Sequence, residues 1–236
     1  MATTQEHTLR AFTALHLLAP QVGGDWHGKV IASVGMHAEG AALALASHFA
    51  GAACLIVEAR PPRLKAALRS GCCDFMVNNL DEALRVMKNE VRKRRPISVG
   101  LLGNAATVLP EMVERGVLPE MLVEFAESRA EAAWNTPIMD EAVRALKQMG
   151  ACVADFNGEV ADLLEAFLRE RGWTMATRTA ADAEEMQKID AKALALLPQE
   201  DAMRRQWMEA ALKYFRRELP LRRVLWMTAE EAAQWS

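Results

Sequence analysis

The sequence predicts an α/β fold: a doubly wound, mostly parallel sheet with a helical C-terminal extension. Three observations predict it. Short apolar runs alternate with amphipathic stretches from Lys29 to Gly172. The runs are apolar at successive positions, as strands covered on both faces are. The first run ends in glycine at Gly35 and opens directly into a helix rich in small residues.

Each element follows in order. Thr4–Ala19 has the pattern of an amphipathic helix and leads into "KVIASVG" (Lys29–Gly35), a β-branched strand closed by glycine. "EGAALALASHFAG" is the helix after it, "AACLIVEA" (Ala52–Ala59) a second strand, and "PRLKAALRSG" a short helix. "DFMVN" (Asp74–Asn78) is a weaker third strand, and "LDEALRVMKNEVRKRR" a helix with Leu80, Leu84 and Met87 on one face. "ISVGLLG" (Ile97–Gly103) is the fourth strand. It turns through Gly-Asn-Ala-Ala into a helix that stops at Gly116. "MLVEF" (Met121–Phe125) is the fifth strand; "MDEAVRALKQMG", "ACVADF" and "EVADLLEAFLRERG" continue the alternation. After Gly172 the pattern changes. Residues 173–220 read as a helical excursion, and "RRVLWM" as a strand that rejoins the sheet or packs on it. The expected organisation is an N-terminal helix (1–27), a main domain (28–228) and a C-terminal tail (229–236).

The bulk properties set limits on function. Of 236 residues, 51% are hydrophobic, enough for a sizeable core, and the net charge of −3 gives no electrostatic reason to expect nucleic acid or an anionic membrane as partner. No apolar run approaches the roughly 20 residues that span a bilayer. The four cysteines, Cys54, Cys72, Cys73 and Cys152, lack CxxC spacing, and with no signal segment they fit a reduced cytoplasm. Buried structural thiols are the expected reading of Cys72-Cys73. All five histidines precede residue 49, and no metal-ligand spacing stands out. Basic residues in "VRKRRP" (Val91–Pro96) complement a helix C-terminus. Asp155 is expected to cap a turn. Trp207, Met208, Leu212 and Phe215 form an apolar stripe, either core or a dimer face. The C-terminal aromatics as a group suggest a two-fold homodimer.

One stretch carries candidate chemistry. "SVGMHAEGAA" holds Gly35-x-His37-x-x-Gly40, against the dinucleotide pattern G-x-G-x-x-G. The first and third glycines are present; His37 stands at the second, where backbone would approach a pyrophosphate. Glu39 adds negative charge at a helix N-terminus that a phosphate would need positive. Glu58 ends the second strand 23 positions after Gly35, placed to accept ribose hydroxyls, and Arg63 follows five residues on. Two readings stand: a weakened nucleotide site, or glycines that only permit tight packing with Glu58 solvated.

"SVGLLGNAATVLPEMVERGVLPE" (Ser98–Glu120) resembles the central Rossmann-like domain of urocanase, the urocanate hydratase of histidine breakdown. The order of the glycine turn, the acidic residue with arginine five later, the "LDEALRVM" helix and the "ADFNGE" turn is collinear with that family from about Gly28 to Trp226. The resemblance implies tightly bound NAD+ acting as an electrophile. It places Gly40, Glu58, Arg63, Asn104 and Ala105 at cofactor-contacting positions, beside Gly35 of the fingerprint. It also implies departures. "EFAESR" (Glu124–Arg129) replaces the family's Asp-Gln-Thr-Ser-Ala-His stretch, and Phe156 replaces a tyrosine. The flanking domain with the catalytic cysteine has no counterpart here, so no catalytic residue is assigned. The expectation is a divergent NAD- or nucleotide-binding domain without urocanate hydratase activity on its own. The alternatives are a degenerate domain acting through a protein partner, and a hydratase-like lyase subunit that needs a partner chain.

Overall fold

The computed structural model describes residues 4–130, 136–215 and 219–235. Six strands form one sheet: β1 (Val30–Val34), β2 (Ala53–Glu58), β3 (Phe75–Val77), β4 (Ile97–Leu102), β5 (Met121–Glu124) and β6 (Cys152–Asp155). Their order is β3-β4-β2-β1-β5-β6, and every pairing is parallel. All six residues of β2 are buried, which is why that run carries no polar alternation before Glu58.

Helices cover both faces. On one lie α1 (Thr4–Leu18), α2 (Ala38–Ala50), α3 (Pro61–Ser70) and α8 (Glu159–Glu170); on the other lie α4 (Leu80–Arg92), α5 (Ala105–Glu114) and α7 (Thr136–Met149). A short helix, α6 (Ala126–Ala130), follows β5. The caps are where the sequence puts them. Asn79 accepts from Glu82 N to start α4, and Asn104 accepts from Ala106 N to start α5.

The C-terminal part differs from the expected helical excursion. Thr174–Ala180 is a strand, β7, which pairs antiparallel with β8 (Leu221–Met227) in a second, two-stranded sheet. Its threonine-rich, half-exposed pattern carries no continuous apolar run, so the strand is poorly marked in sequence. Between them run α9 (Ala183–Leu196) and α10 (Ala202–Tyr214); the end of the expected second helix, residues 216–218, lies outside the described residues. β8 does not rejoin the six-stranded sheet. The C-terminal segment closes in a short helix, α11 (Ala229–Gln234), followed by Trp235, which is 1% exposed and donates to Ile189 O.

Helix α1 joins the two parts. Phe12 lies against Phe49 of α2 and Trp207 of α10. Thr13 Oγ1 accepts from Trp226 Nε1 (2.8 Å), and Gln5 Nε2 donates to Arg222 O (3.1 Å). The N-terminal helix thus belongs to a core shared by both sheets.

Candidate functional site

In a doubly wound sheet the connections leave β1 and β5 in opposite directions: β1 leads to β2 on one side and β5 to β6 on the other. Ligands of such sheets bind in the crevice beyond the carboxyl ends of the strands at this switch point. Here the crevice is lined by the turn after β1 (Gly35 to Gly40) and by Phe125 to Arg129 after β5.

Both fingerprint glycines are required by geometry. Gly35 has φ +91°, and a Cβ there would stand 2.8 Å from His37 Cδ2 and Ser128 Oγ. A Cβ on Gly40 would lie 2.0 Å from Gly35 O, so the helix closes directly onto the turn. This is the close packing that the third glycine of the fingerprint provides.

His37 occupies the position of the missing glycine. It caps α2, its Nδ1 accepting from Gly40 N at 3.4 Å. Its Nε2 donates to Ser128 Oγ at 2.8 Å, and Ser128 donates on to Val34 O. These partners fix the tautomer with the proton on Nε2. The ring stands edge-on to Phe125 at 5.2 Å, and the side chain is 2% exposed. By sequence alone His37 stands as an obstruction and Glu124–Arg129 as a lost motif. The structure joins them: Ser128, from the altered stretch, receives the substituted histidine. Nothing in the spacing of residues 91 positions apart signals that pairing.

The six expected site residues fall at adjacent strand ends. Gly35 N donates to Val57 O, and Gly103 N donates to Glu58 O, so the turns after β1 and β4 flank the end of β2. Glu58 is buried, not solvated. Its Oε2 accepts from Met36 N and its Oε1 from Arg60 N, both at 2.7 Å. Arg63 Nη1 lies 3.4 Å from Glu58 Oε2, and its Nη2 lies 3.7 Å from Glu127 Oε1. Asn104 is exposed as the cap of α5, while Ala105 is buried beneath it. Glu58 therefore ties the β1 turn to the start of α3, with Arg63 as its counter-charge.

Two cavities flank the turn. One, of about 770 Å³, runs from Met36 and His37 past Arg63 and Cys72 to Lys213 and Tyr214. The other, of about 360 Å³, is bounded by His7, Arg10, Glu39, Phe125 and Phe156. Two of the thiols, Cys54 and Cys73, are unsuited to nucleophilic work. Burial pushes Cys73 up to about 11 and Cys54 up to about 12. Asp155 accepts from Asn157 N and Gly158 N, the turn-capping role expected of it.

The parallel sheet, the glycine turn and the switch-point crevice define a Rossmann-like domain. The profile of the urocanase Rossmann-like domain matches residues 7–129, just over half of the chain, and the chain belongs to that family. The match begins inside α1, upstream of Gly28, and ends inside α6. A solved structure titled "crystal structure of AibC" is similar to 91% of this chain at 13% identity and a TM-score of 0.36. The alignment spans 57% of that chain's length, and at this level it bears on neither fold nor function.

Proposed function

We propose that the chain is a nucleotide-binding domain of the urocanase kind with a narrowed NAD site, and that it does not hydrate urocanate by itself. The observation that supports it is the convergence of three turns, at Gly35–Gly40, Glu58–Arg63 and Asn104–Ala105, on neighbouring strand ends. Arg63 also lines the larger cavity, which is large enough for a nucleotide-sized ligand. In this reading Glu58 takes the ribose hydroxyls through lone pairs left over from Met36 N and Arg60 N. Asn104 fixes the ligand from the neighbouring strand end, that of β4.

The narrowing has a specific cause. A pyrophosphate at the N-terminus of α2 needs the Gly40 N–H, and His37 Nδ1 already accepts from it. Glu39 in the first turn opposes a phosphate with its charge. A second reading, with no nucleotide and a role in protein contact, is favoured by the same His37–Ser128–Val34 chain, which satisfies the crevice internally.

Calorimetry with NAD+ separates the two. The His37→Gly/Glu39→Gln double variant is expected to bind more tightly than wild type; the charge change alone contributes about 0.3–1 kcal/mol. Arg63→Ala is expected to weaken binding. A double variant that binds no better, or an Arg63→Ala that leaves binding unchanged, removes the nucleotide reading.

A further inference from the structure

We propose that His37, Glu39 and Glu127 form a site for one divalent transition-metal ion of the zinc class, at the mouth of the switch-point crevice. The inference does not rest on the nucleotide reading. One ligand atom from each residue lies within 4.8 Å of the other two. His37 Nδ1 and Glu127 Oε2 stand 3.5 Å apart. Two ligands at zinc bond lengths of about 2.0–2.1 Å in a tetrahedron are separated by ~3.3 Å, so the pair needs almost no movement to share an ion.

The surroundings fit a ligand set. A metal-binding histidine characteristically donates its other ring N–H to a fixed acceptor, which orients the ring and sets the tautomer. His37 does this through Nε2 to Ser128 Oγ, itself anchored on Val34 O. The nitrogen facing the carboxylates is therefore the basic one. Its contact to Gly40 N, at 3.4 Å, is long for a hydrogen bond and is the one an ion would replace. Both carboxylates are braced from outside the cluster. Asn157 Nδ2 donates to Glu39 Oε1 at 3.1 Å, and Arg63 Nη2 lies 3.7 Å from Glu127 Oε1, on the oxygen turned away from His37. Three elements thus supply the ligands: the β1 turn, the first turn of α2, and α6.

One nitrogen and two carboxylates suit zinc, manganese or iron(II) better than magnesium or calcium, which favour all-oxygen sets. Three protein ligands leave a position open, as in catalytic and not structural zinc sites. Glu127 is half-exposed, so an ion reaches the cluster from solvent while the imidazole stays buried.

The test uses the full chain, stripped of metal and with any affinity tag removed, titrated with Zn2+ and with Co2+ as a spectroscopic probe. One ion per chain is expected by calorimetry. The Co2+ form should show visible d–d bands without thiolate charge transfer. Glu127→Gln, at an exposed group, and Glu39→Gln, at a partly buried one, should each weaken binding by about tenfold or more. Ser128→Ala should weaken it by about 10–100-fold through loss of ring orientation. Lack of binding to the wild type, or binding that all three variants leave unchanged, overturns the site. A thiolate band would do the same by assigning the ion to a cysteine. Because no nucleotide is present, the outcome is independent of NAD+ affinity.

Discussion

At the scale of the residue, Gly40 and His48 give predictions whose sign is decided by structure. Alanine in a helix is normally preferred to glycine by about 1 kcal/mol. At Gly40 the order reverses, because a Cβ would meet a backbone oxygen at 2.0 Å that no side-chain rotation can move. Gly40→Ala is expected to destabilise by about 1–3 kcal/mol; a urea midpoint equal to or above wild type would contradict the packing described. His48 accepts from or donates to Tyr214 Oη and is pushed below its ordinary value of 6.5, first by burial and then by Lys213, against the pull of Asp74. His16 is lowered too, again first by burial. The unfolded chain therefore takes up protons near pH 6.5 that the folded chain resists. Stability is full above that pH and falls as pH drops through it. Urea midpoints should decline between pH 7.5 and 5.5, and decline less in His48→Gln. A flat wild-type profile would show that burial of these rings carries no linkage.

At the scale of the element, the antiparallel pair β7–β8 packs through the buried apolar run Val224–Met227, and buried ion pairs tie it to the helices around it. Arg223 of β8 donates two bonds to Asp190 of α9, at 2.6 and 2.9 Å, and a third to Ala211 O of α10. Both side chains are nearly inaccessible. Arg204 of α10 spans Asp201, Glu231 and Trp226 O, with Trp173 stacked on its guanidinium at 4.3 Å. Removing one partner of such a pair strands the other charge, so Asp190→Ala should cost about 3–5 kcal/mol. The paired change Asp190→Leu/Arg223→Met should recover much of that loss. Equal destabilisation by the single and double variants would mean that packing, and not the stranded arginine, sets the cost.

At the scale of the whole molecule, α1 makes one cooperative unit of the two sheets. Phe12 is 2% exposed between α2 and α10, and Phe12→Ala should cost about 3–5 kcal/mol. Trp207, Trp226 and Trp235 report on the C-terminal part, while far-ultraviolet circular dichroism is dominated by the whole chain. Both signals should move together to lower urea in that variant. Separate transitions would show that α1 does not couple the sheets. Those aromatics are buried within one chain, Trp207, Trp226 and Trp235 at 1–2% exposure. These three side chains are core, while Tyr214 is half-buried and lines the larger cavity. Urocanate incubated with the chain and NAD+ should keep its ultraviolet absorbance at the no-enzyme rate. Hydration above that rate would overturn the proposal of no hydratase activity by itself.

The amino-acid sequence by itself determined the six-stranded sheet, because strands buried on both faces must be apolar throughout and their glycine and asparagine boundaries are local signals. It also placed Gly35, Gly40, Glu58, Arg63, Asn104 and Ala105 at strand ends, since a parallel sheet sends every β-to-α turn to one edge. It could not give β7, whose exposed threonines leave Ala176 as its one buried residue and so no apolar run to read. Only the tertiary structure decided what the crevice contains. His37 meets Ser128 and Glu127 through the pairing of β1 with β5, a contact across about ninety residues that no local period encodes. The same holds in part for Glu58: its place at the end of β2 was legible and Arg60 N is a local donor, but Met36 N comes from the β1 turn, which reaches it only when β1 and β2 align.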